Sequence, residues 1–356
     1  MGPSPISLTR AFANSHFTDA SQFAREHEAI FYRNWTFIGH DCDLAETGAY
    51  ITSYVADQAV FAIRGEDGQV RAFYNVCQHR GHRLLADGRG VAARMLICPY
   101  HAWSYELDGR LRGAHGAQKD PVCASMTLNE IRIERLAGFW FVNLSSEAPS
   151  LQETYPGLEE QILGEVPDLP DYQVLCEGSF DIQGNWKICM ENGLECYHCG
   201  PAHPGFCVIL DLDNYDIATY GAHTRHWGKI KDGGDYSSWK MFPTTTLRSS
   251  SDGPTITSFC FRPLGPGQSR DQMTLYGPAS MAGDREWLYN KWLNTDFLHE
   301  DIALIESVQE GMSNKGFSGG WLMKTDKFES EQPLIDFENW VEAEMARPLT
   351  PAPQPV

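Results

Sequence analysis

Two cysteine–histidine pairs lie close together in this chain: Cys77-Gln78-His79 and Cys98-Pro99-Tyr100-His101. One residue separates the ligands of the first pair and two those of the second, with eighteen residues between His79 and Cys98. Each short loop therefore offers one sulfur and one nitrogen. Zinc is the rival reading, but zinc sites commonly pair two neighbouring cysteines with two neighbouring histidines. The pattern here suits a [2Fe–2S] cluster with both thiolates on one iron and both imidazoles on the other. Neutral imidazole in place of thiolate raises the potential of such a cluster. The bland reading is four unrelated residues.

A second constellation follows. Asn185 to His198 reads as a helix with Gly193 as a tolerated defect, stopped by Gly200-Pro201. Glu195 and His198, three apart, would share a face of it. His203 comes after the break and can swing back beside His198. Two histidines and a carboxylate make a facial triad with open positions, which favours non-haem Fe(II). The carboxylate must come from elsewhere. A helix over 296–312 carries Leu304, Ile305, Val308 and Met312 in one apolar stripe with Asp301. A carboxylate on a buried stripe is costly unless it is paired or metal-bound. Asp301 is therefore the candidate and Glu300 the fallback; the plain alternative is that Asp301 merely favours a helix N-terminus. Asn192 is a candidate neighbour of the iron. Cys196-Tyr197-His198-Cys199 contains a CxxC that could serve zinc or redox chemistry. His40, His115, His223, His226 and His299 lack ligand-like spacing and read as surface or core. His82 could support the cluster from behind its ligands.

The elements that must position these residues are legible in outline. Ser21 to Trp35 reads as a helix. Phe37 to Leu144 has β character, with runs at 59–63 and 138–142 and hairpin signals at Glu66-Asp67-Gly68 and Leu107-Asp108-Gly109. Both Cys–His pairs then sit on loops of a small β domain. Residues 145–172 read as a connection with a short helix near Leu158 to Leu163. Beyond Tyr172 helices mix with strands such as Thr255 to Phe261. No internal repeat appears, and the Pro-rich tail from Pro348 is expected to be disordered.

Composition narrows the class. The 356 residues are 42% hydrophobic, enough for two domains and a large core. No apolar run is long enough to span a membrane, and Met1 to Ser7 lacks the pattern of a secretory signal. Pro3 argues against myristoylation at Gly2. A net charge of −19 argues against nucleic acid and anionic membranes as partners and fits a cytoplasmic protein. Without an export signal, the ten cysteines read as metal ligands or buried thiols rather than a disulfide framework. No dinucleotide-binding glycine fingerprint occurs, so NAD(P)H would be used by a partner.

Together, Cys77-x-His79, Cys98-x-x-His101, Glu195-x-x-His198-x4-His203 and the late Asp301 resemble the α subunit of Rieske non-haem iron oxygenases. Asn75 to His82, Cys98 to Trp103, Asn185-Trp186-Lys187, Glu300-Asp301-Ile302 and Gln309-x-Gly311 match family signatures, so the likeness covers nearly the whole chain. The gap between His79 and Cys98 is slightly longer than most members have. The resemblance implies an α+β fold, with a small all-β Rieske domain and a larger catalytic domain of helices on an antiparallel sheet. It implies an N-terminal helical segment (1–36) packing on the catalytic domain, a Rieske domain (37–150) and a catalytic domain (151–356). It implies a [2Fe–2S] cluster, a mononuclear Fe(II), electrons from a separate flavin/iron–sulfur reductase that uses NAD(P)H, and a homotrimer. Electrons would cross between subunits through an acidic residue, here Glu195. Most members have Asp there; Glu is similar to the subgroup acting on choline, carnitine and glycine betaine. The expected activity is O2-dependent hydroxylation of a small quaternary ammonium or N-methylated substrate, with Phe206, Phe259, Phe261 and Trp292 as conceivable cage residues. Oxygenation of an aromatic ring is the alternative. From other classes, the rivals are an electron carrier without turnover and a zinc-binding interaction protein.

Overall fold

The computed structural model describes residues 6–117, 120–249, 254–283 and 296–348, with side chains at 296 and 297 left aside. Trp292 and the tail beyond Pro348 lie outside the described residues. The chain forms two compact units: Tyr32–Glu153 with Gly157–Tyr172, and Met1–Phe31 with Thr154–Pro156 and Gln173–Val356. Helices and antiparallel strands are mixed, as the α+β reading expects.

The first unit is mostly β. Its seven-stranded sheet runs in the order β2 (Thr36–His40), β11 (Phe139–Asn143), β10 (Glu130–Leu136), β5 (Val70–Tyr74), β4 (Gln58–Arg64), β3 (Ala49–Val55), β6 (Arg89–Val91). A three-stranded sheet joins β7 (Leu96–Ile97), β8 (Ser104–Tyr105) and β9 (Leu111–Gly113). The two Asp-Gly turns fall between β4 and β5 and between β8 and β9, with Gly68 at φ +78° and Gly109 at φ +89°. Cys77 and Cys98 are buried in one core with Phe61, Phe73, Leu84, Leu96 and Tyr105. The helix Leu158–Glu165, from the stretch read as a connection, packs on this unit through Leu158 and Ile162.

The second unit is a seven-stranded antiparallel sheet with helices. Its order is β12 (Gln173–Ile182), β18 (Gln268–Gly277), β17 (Ile256–Gly265), β16 (Thr245–Ser249), β15 (Asp235–Met241), β14 (His223–Ile230), β13 (Leu210–Tyr220). A separate ribbon pairs β1 (Ser7–Arg10) with β19 (Trp321–Lys324). The helix Trp186–Leu194 packs against β15, β17 and β18 and against the helix Asp296–Met312. Asn185 caps the former, its side chain accepting from the Lys187 N–H at 2.9 Å. The Asn185 backbone N–H in turn donates to Gln309 Oε1 of the latter at 2.7 Å. A Cβ at Gly184 would stand 2.5 Å from Ile305 Cγ2, so glycine there permits the approach of the two helices. Lys187 is fully buried against Glu26 at 2.6 Å, and Trp186 donates to the other Glu26 oxygen. A charge so deeply buried is tolerable because it is paired and hydrogen-bonded.

Three local expectations are corrected. The helix from Asn185 ends at Leu194 rather than reaching His198, because Glu195 is extended at φ −133° and ψ 171°. Its carboxylate then turns forward onto the backbone N–H groups of Tyr197 and His198. Gly200-Pro201 does not terminate this helix but sits inside a short one, Cys199–Ala202. The stripe on Asp296–Met312 is also displaced. Leu304 and Val308 are exposed, and the inward line runs through Ile302, Ile305 and Gln309. Finally, the cysteines are not all thiols, since Cys196 and Cys199 are joined in a disulfide.

Candidate active site: two metal centres and a cavity

The loops carrying the Cys–His pairs follow β5 and join β7 to β8, and they fold alike. In each, the cysteine carbonyl accepts from the residue four further on: Gly81 N–H to Cys77, Ala102 N–H to Cys98, both at 3.0 Å. In each, the cysteine N–H donates to the carbonyl five further on, His82 at 2.8 Å and Trp103 at 2.7 Å. The turn residues are both left-handed, Gly81 at φ +70° and Ala102 at φ +56°. So two similar loops each present a sulfur and a ring.

Cys77 and Cys98 are 2% exposed, while His79 is exposed and His101 half-buried. The Cys98 thiol lies within hydrogen-bond reach of Cys77. The two imidazoles approach with ring centroids 4.7 Å apart, and His79 stacks on Trp103. Among the described residues, His101 Nδ1 is buried with no hydrogen-bond partner, an atom whose lone pair is left for a metal. Sulfurs inside and imidazoles toward the surface therefore fit the expected cluster. Tyr105 Oη lies 3.2 Å from Cys77 Sγ and accepts from the Gln78 N–H at 3.1 Å, which leaves its proton for the sulfur. Burial pushes the Cys77 thiol pKa up, against the pull of that hydrogen bond.

In the second unit the structure brings together His198, His203 and Asp301, with one ligand atom from each within 4.8 Å of the others. Asp301 Oδ1 is 2.9 Å from His203 Nε2 and 3.6 Å from His198 Nε2. The other ring nitrogens are held by carboxylates. His198 Nδ1 contacts Glu195, and His203 Nδ1 donates to Glu300 at 2.7 Å. With the proton donated from Nδ1, each imidazole keeps its Nε2 lone pair for a metal. The donor set of two imidazoles and a carboxylate fits Fe(II). Glu300 thus sits behind His203 rather than among the three. Without metal, burial would lower the His198 pKa, but Asp301 and Glu195 outweigh it and raise it to about 9. Burial would raise the Asp301 pKa, yet its bonds from His198 and His203 bring it down to about 2.

These residues open on a cavity of about 150 Å³. Asn192 and Glu195 line it, as do Phe206, Phe259 and Phe261. Among the lining residues that sequence reasoning missed are Tyr236, Lys240, Arg248 and Asp271. Lys240 and Arg248 carried no local signal, because a charge in a strand reads as solvent-facing until the sheet's covered face is known. His226, read as surface or core, is 2% exposed and also lines the cavity, its Nδ1 2.9 Å from Tyr215 Oη.

Residues 34–130 match the Rieske [2Fe-2S] domain family, and residues 169–240 the catalytic domain of the ring-hydroxylating alpha subunit. The carnitine monooxygenase oxygenase subunit of Escherichia coli (strain K12) is 32% identical over 339 residues, 91% of this chain and 90% of that one. The glycine betaine monooxygenase oxygenase subunit of Chromohalobacter salexigens is 36% identical, over 91% of this chain and 83% of that one. Among solved structures, the quaternary ammonium Rieske monooxygenase CntA in complex with L-carnitine superimposes with a TM-score of 0.88 at 30% identity, covering 95% and 96% of the two chains. Naphthalene 1,2-dioxygenase from Rhodococcus sp., at 17% identity and TM-score 0.79, shares the fold. With a Rieske [2Fe–2S] domain, a mononuclear-iron catalytic domain and relatives of this similarity along most of its length, the chain belongs to the oxygenase α subunits of the Rieske non-haem iron oxygenases, enzymes that take their electrons from a separate reductase.

Proposed function

We propose that this chain is the oxygenase component of a monooxygenase of quaternary ammonium compounds. One observation carries the reading: an aromatic-lined cavity opens on the His198–His203–Asp301 cluster, in a chain similar to carnitine and glycine betaine oxygenases. Cys77, His79, Cys98 and His101 would hold the cluster, and His198, His203 and Asp301 the mononuclear iron. When bound, these groups supply single electrons and activate dioxygen for hydroxylation of a substrate carbon. A carbon hydroxylated next to nitrogen lets the product separate into an amine and an aldehyde.

The chain's own residues do the positioning. Phe206, Phe261 and Tyr236 line the cavity, and aromatic rings there can attract an ammonium group. Glu195 and Glu300 fix the tautomer and direction of His198 and His203. Asn192 offers an amide to the cavity. Glu195 is also the residue we assign to electron passage between subunits of a homotrimer, since a carboxylate can hold imidazoles of both metal sites. We take residues 37–150 as the Rieske domain, with residues 157–172 joining it, and the rest from Gln173 as the catalytic domain, to which residues 1–31 belong. The protein would act in the cytoplasm; among the described residues no helix is long and apolar enough to cross a membrane.

The test is oxygen uptake coupled to product formation, with a reductase, across carnitine, glycine betaine, choline and benzoate. Turnover of the quaternary ammonium compounds is expected. Turnover of aromatic compounds alone overturns the proposal. For the relay, Glu195→Ala should abolish turnover even when added iron restores full occupancy of both metal sites; unchanged turnover refutes it.

A further inference from the structure

The cavity holds an arginine and a lysine that the metal chemistry does not use; burial, with Arg248 nearby, lowers the Lys240 pKa to about 7. Arg248 on β16 and Lys240 on β15 share one face of the sheet, for Ser238 pairs with Arg248 and Lys240 with Thr246. Phe259 and Phe261 on β17 and Asp271 on β18 continue that face, through the pairs Thr246–Phe259 and Phe261–Asp271. All of these except Ser238 line the cavity beside His198, His203 and Asp301.

Among the described residues, neither side chain forms an ion pair. Among the described residues, the Arg248 guanidinium makes no hydrogen bond or ion pair and lies over the Phe259 ring at 4.9 Å. Lys240 likewise makes none, and its ammonium rests against Gly193, 3.3 Å from where a Cβ would stand. Asp271 is the acid across the same face. It accepts from the Cys260 N–H at 3.2 Å, forms no ion pair with Arg248, and burial pushes its pKa up to about 7 despite Arg248. A half-buried guanidinium that faces the cavity, with its donors not used by the described residues, is free to meet an incoming acceptor. Phe259 covers one face of it, which leaves the N–H edge for a planar, two-pronged acceptor.

We propose that Arg248, with Lys240 beside it, receives the carboxylate of a betaine, a zwitterion with a quaternary ammonium at its other end. This rests on the quaternary-ammonium reading and narrows it: carboxylate-bearing substrates are selected over choline-like ones. The ammonium end is left to the aromatic rings and to the metal-facing part of the cavity.

The experiment uses the iron-loaded protein with its reductase. The wild type should turn over γ-butyrobetaine or glycine betaine with kcat/KM about 10- to 100-fold above that for the corresponding methyl ester. Arg248→Gln should lower kcat/KM on the betaine by about the same factor, mostly through KM, with the loss on choline at least tenfold smaller. Arg248→Lys should recover part of it. Equal losses on betaine and choline, or a wild type that prefers the ester, overturn the carboxylate assignment and leave the quaternary-ammonium reading standing. If no quaternary ammonium compound is bound or turned over while an aromatic one is, that reading fails and this one with it. The ester comparison needs no variant, so misfolding of Arg248→Gln does not leave the matter open.

Discussion

Cys77, His79, Cys98 and His101 reach one another through two short loops of the same β unit, each closed by the same pair of backbone hydrogen bonds. His203 and Asp301 meet across 98 residues of chain, on the far sides of a seven-stranded sheet in sequence. The first site is built by local turns on a small scaffold. The second is assembled by helix packing, through Asn185, Gln309 and the room left at Gly184. The cluster site therefore depends on loop conformation, and the iron site on tertiary docking. Each should be removable without the other.

Asp301→Ala breaks the comparison most severely if it is wrong. Iron should fall from about three to about two atoms per chain, and turnover by more than about a thousandfold, because metal catalysis supplies several kcal/mol. The visible spectrum of the cluster should persist; its loss would show that the sites are not separately built.

A pH series on the iron site sharpens the same point. Metal requires neutral imidazoles. In the metal-free protein the His198 pKa is raised to about 9, so below that a proton must be displaced. Iron affinity should climb about tenfold per pH unit from 7 to 9 and then level. Titration of iron into apoprotein reads this directly, and a flat profile would contradict the Asp301–His198–Glu195 arrangement.

Glu300→Ala should leave the three ligands present but free His203 to rotate, lowering iron affinity about 10- to 100-fold. Iron retention during dialysis against a chelator measures it. The smallest effect is at the other site. Tyr105→Phe removes one hydrogen bond to Cys77, worth about 1 kcal/mol, or roughly 40 mV for a one-electron couple. The cluster potential should fall by that amount in a redox titration, with iron content unchanged.

The legibility of the two sites follows their construction. The spacing of Cys77, His79, Cys98 and His101 made the candidate cluster site legible because short loops leave few ways for four side chains to be arranged. His198, His203 and Asp301 could be proposed as residue types at plausible spacings, but helical periodicity did not give the docked face. It favoured Leu304 and Val308, which are exposed at 37% and 44%, over the neighbouring line through Ile305. Gly200-Pro201 looked like a stop, whereas the helix is ended earlier by Glu195, whose carboxylate is better satisfied by Tyr197, His198 and the His198 ring.

By itself, the sequence pointed to the fold class, the metal chemistry and the candidate ligands, since these rest on residue type and short spacing. Tertiary structure decided the rest. It put Glu300 behind His203, set Tyr105 on a sulfur, and turned Arg248 and Lys240 inward beside Phe259 and Phe261. A charged residue in a strand reads as solvent-facing until the sheet's register and its covering helices are known, because period two gives two faces and nothing in the local chain says which one is closed.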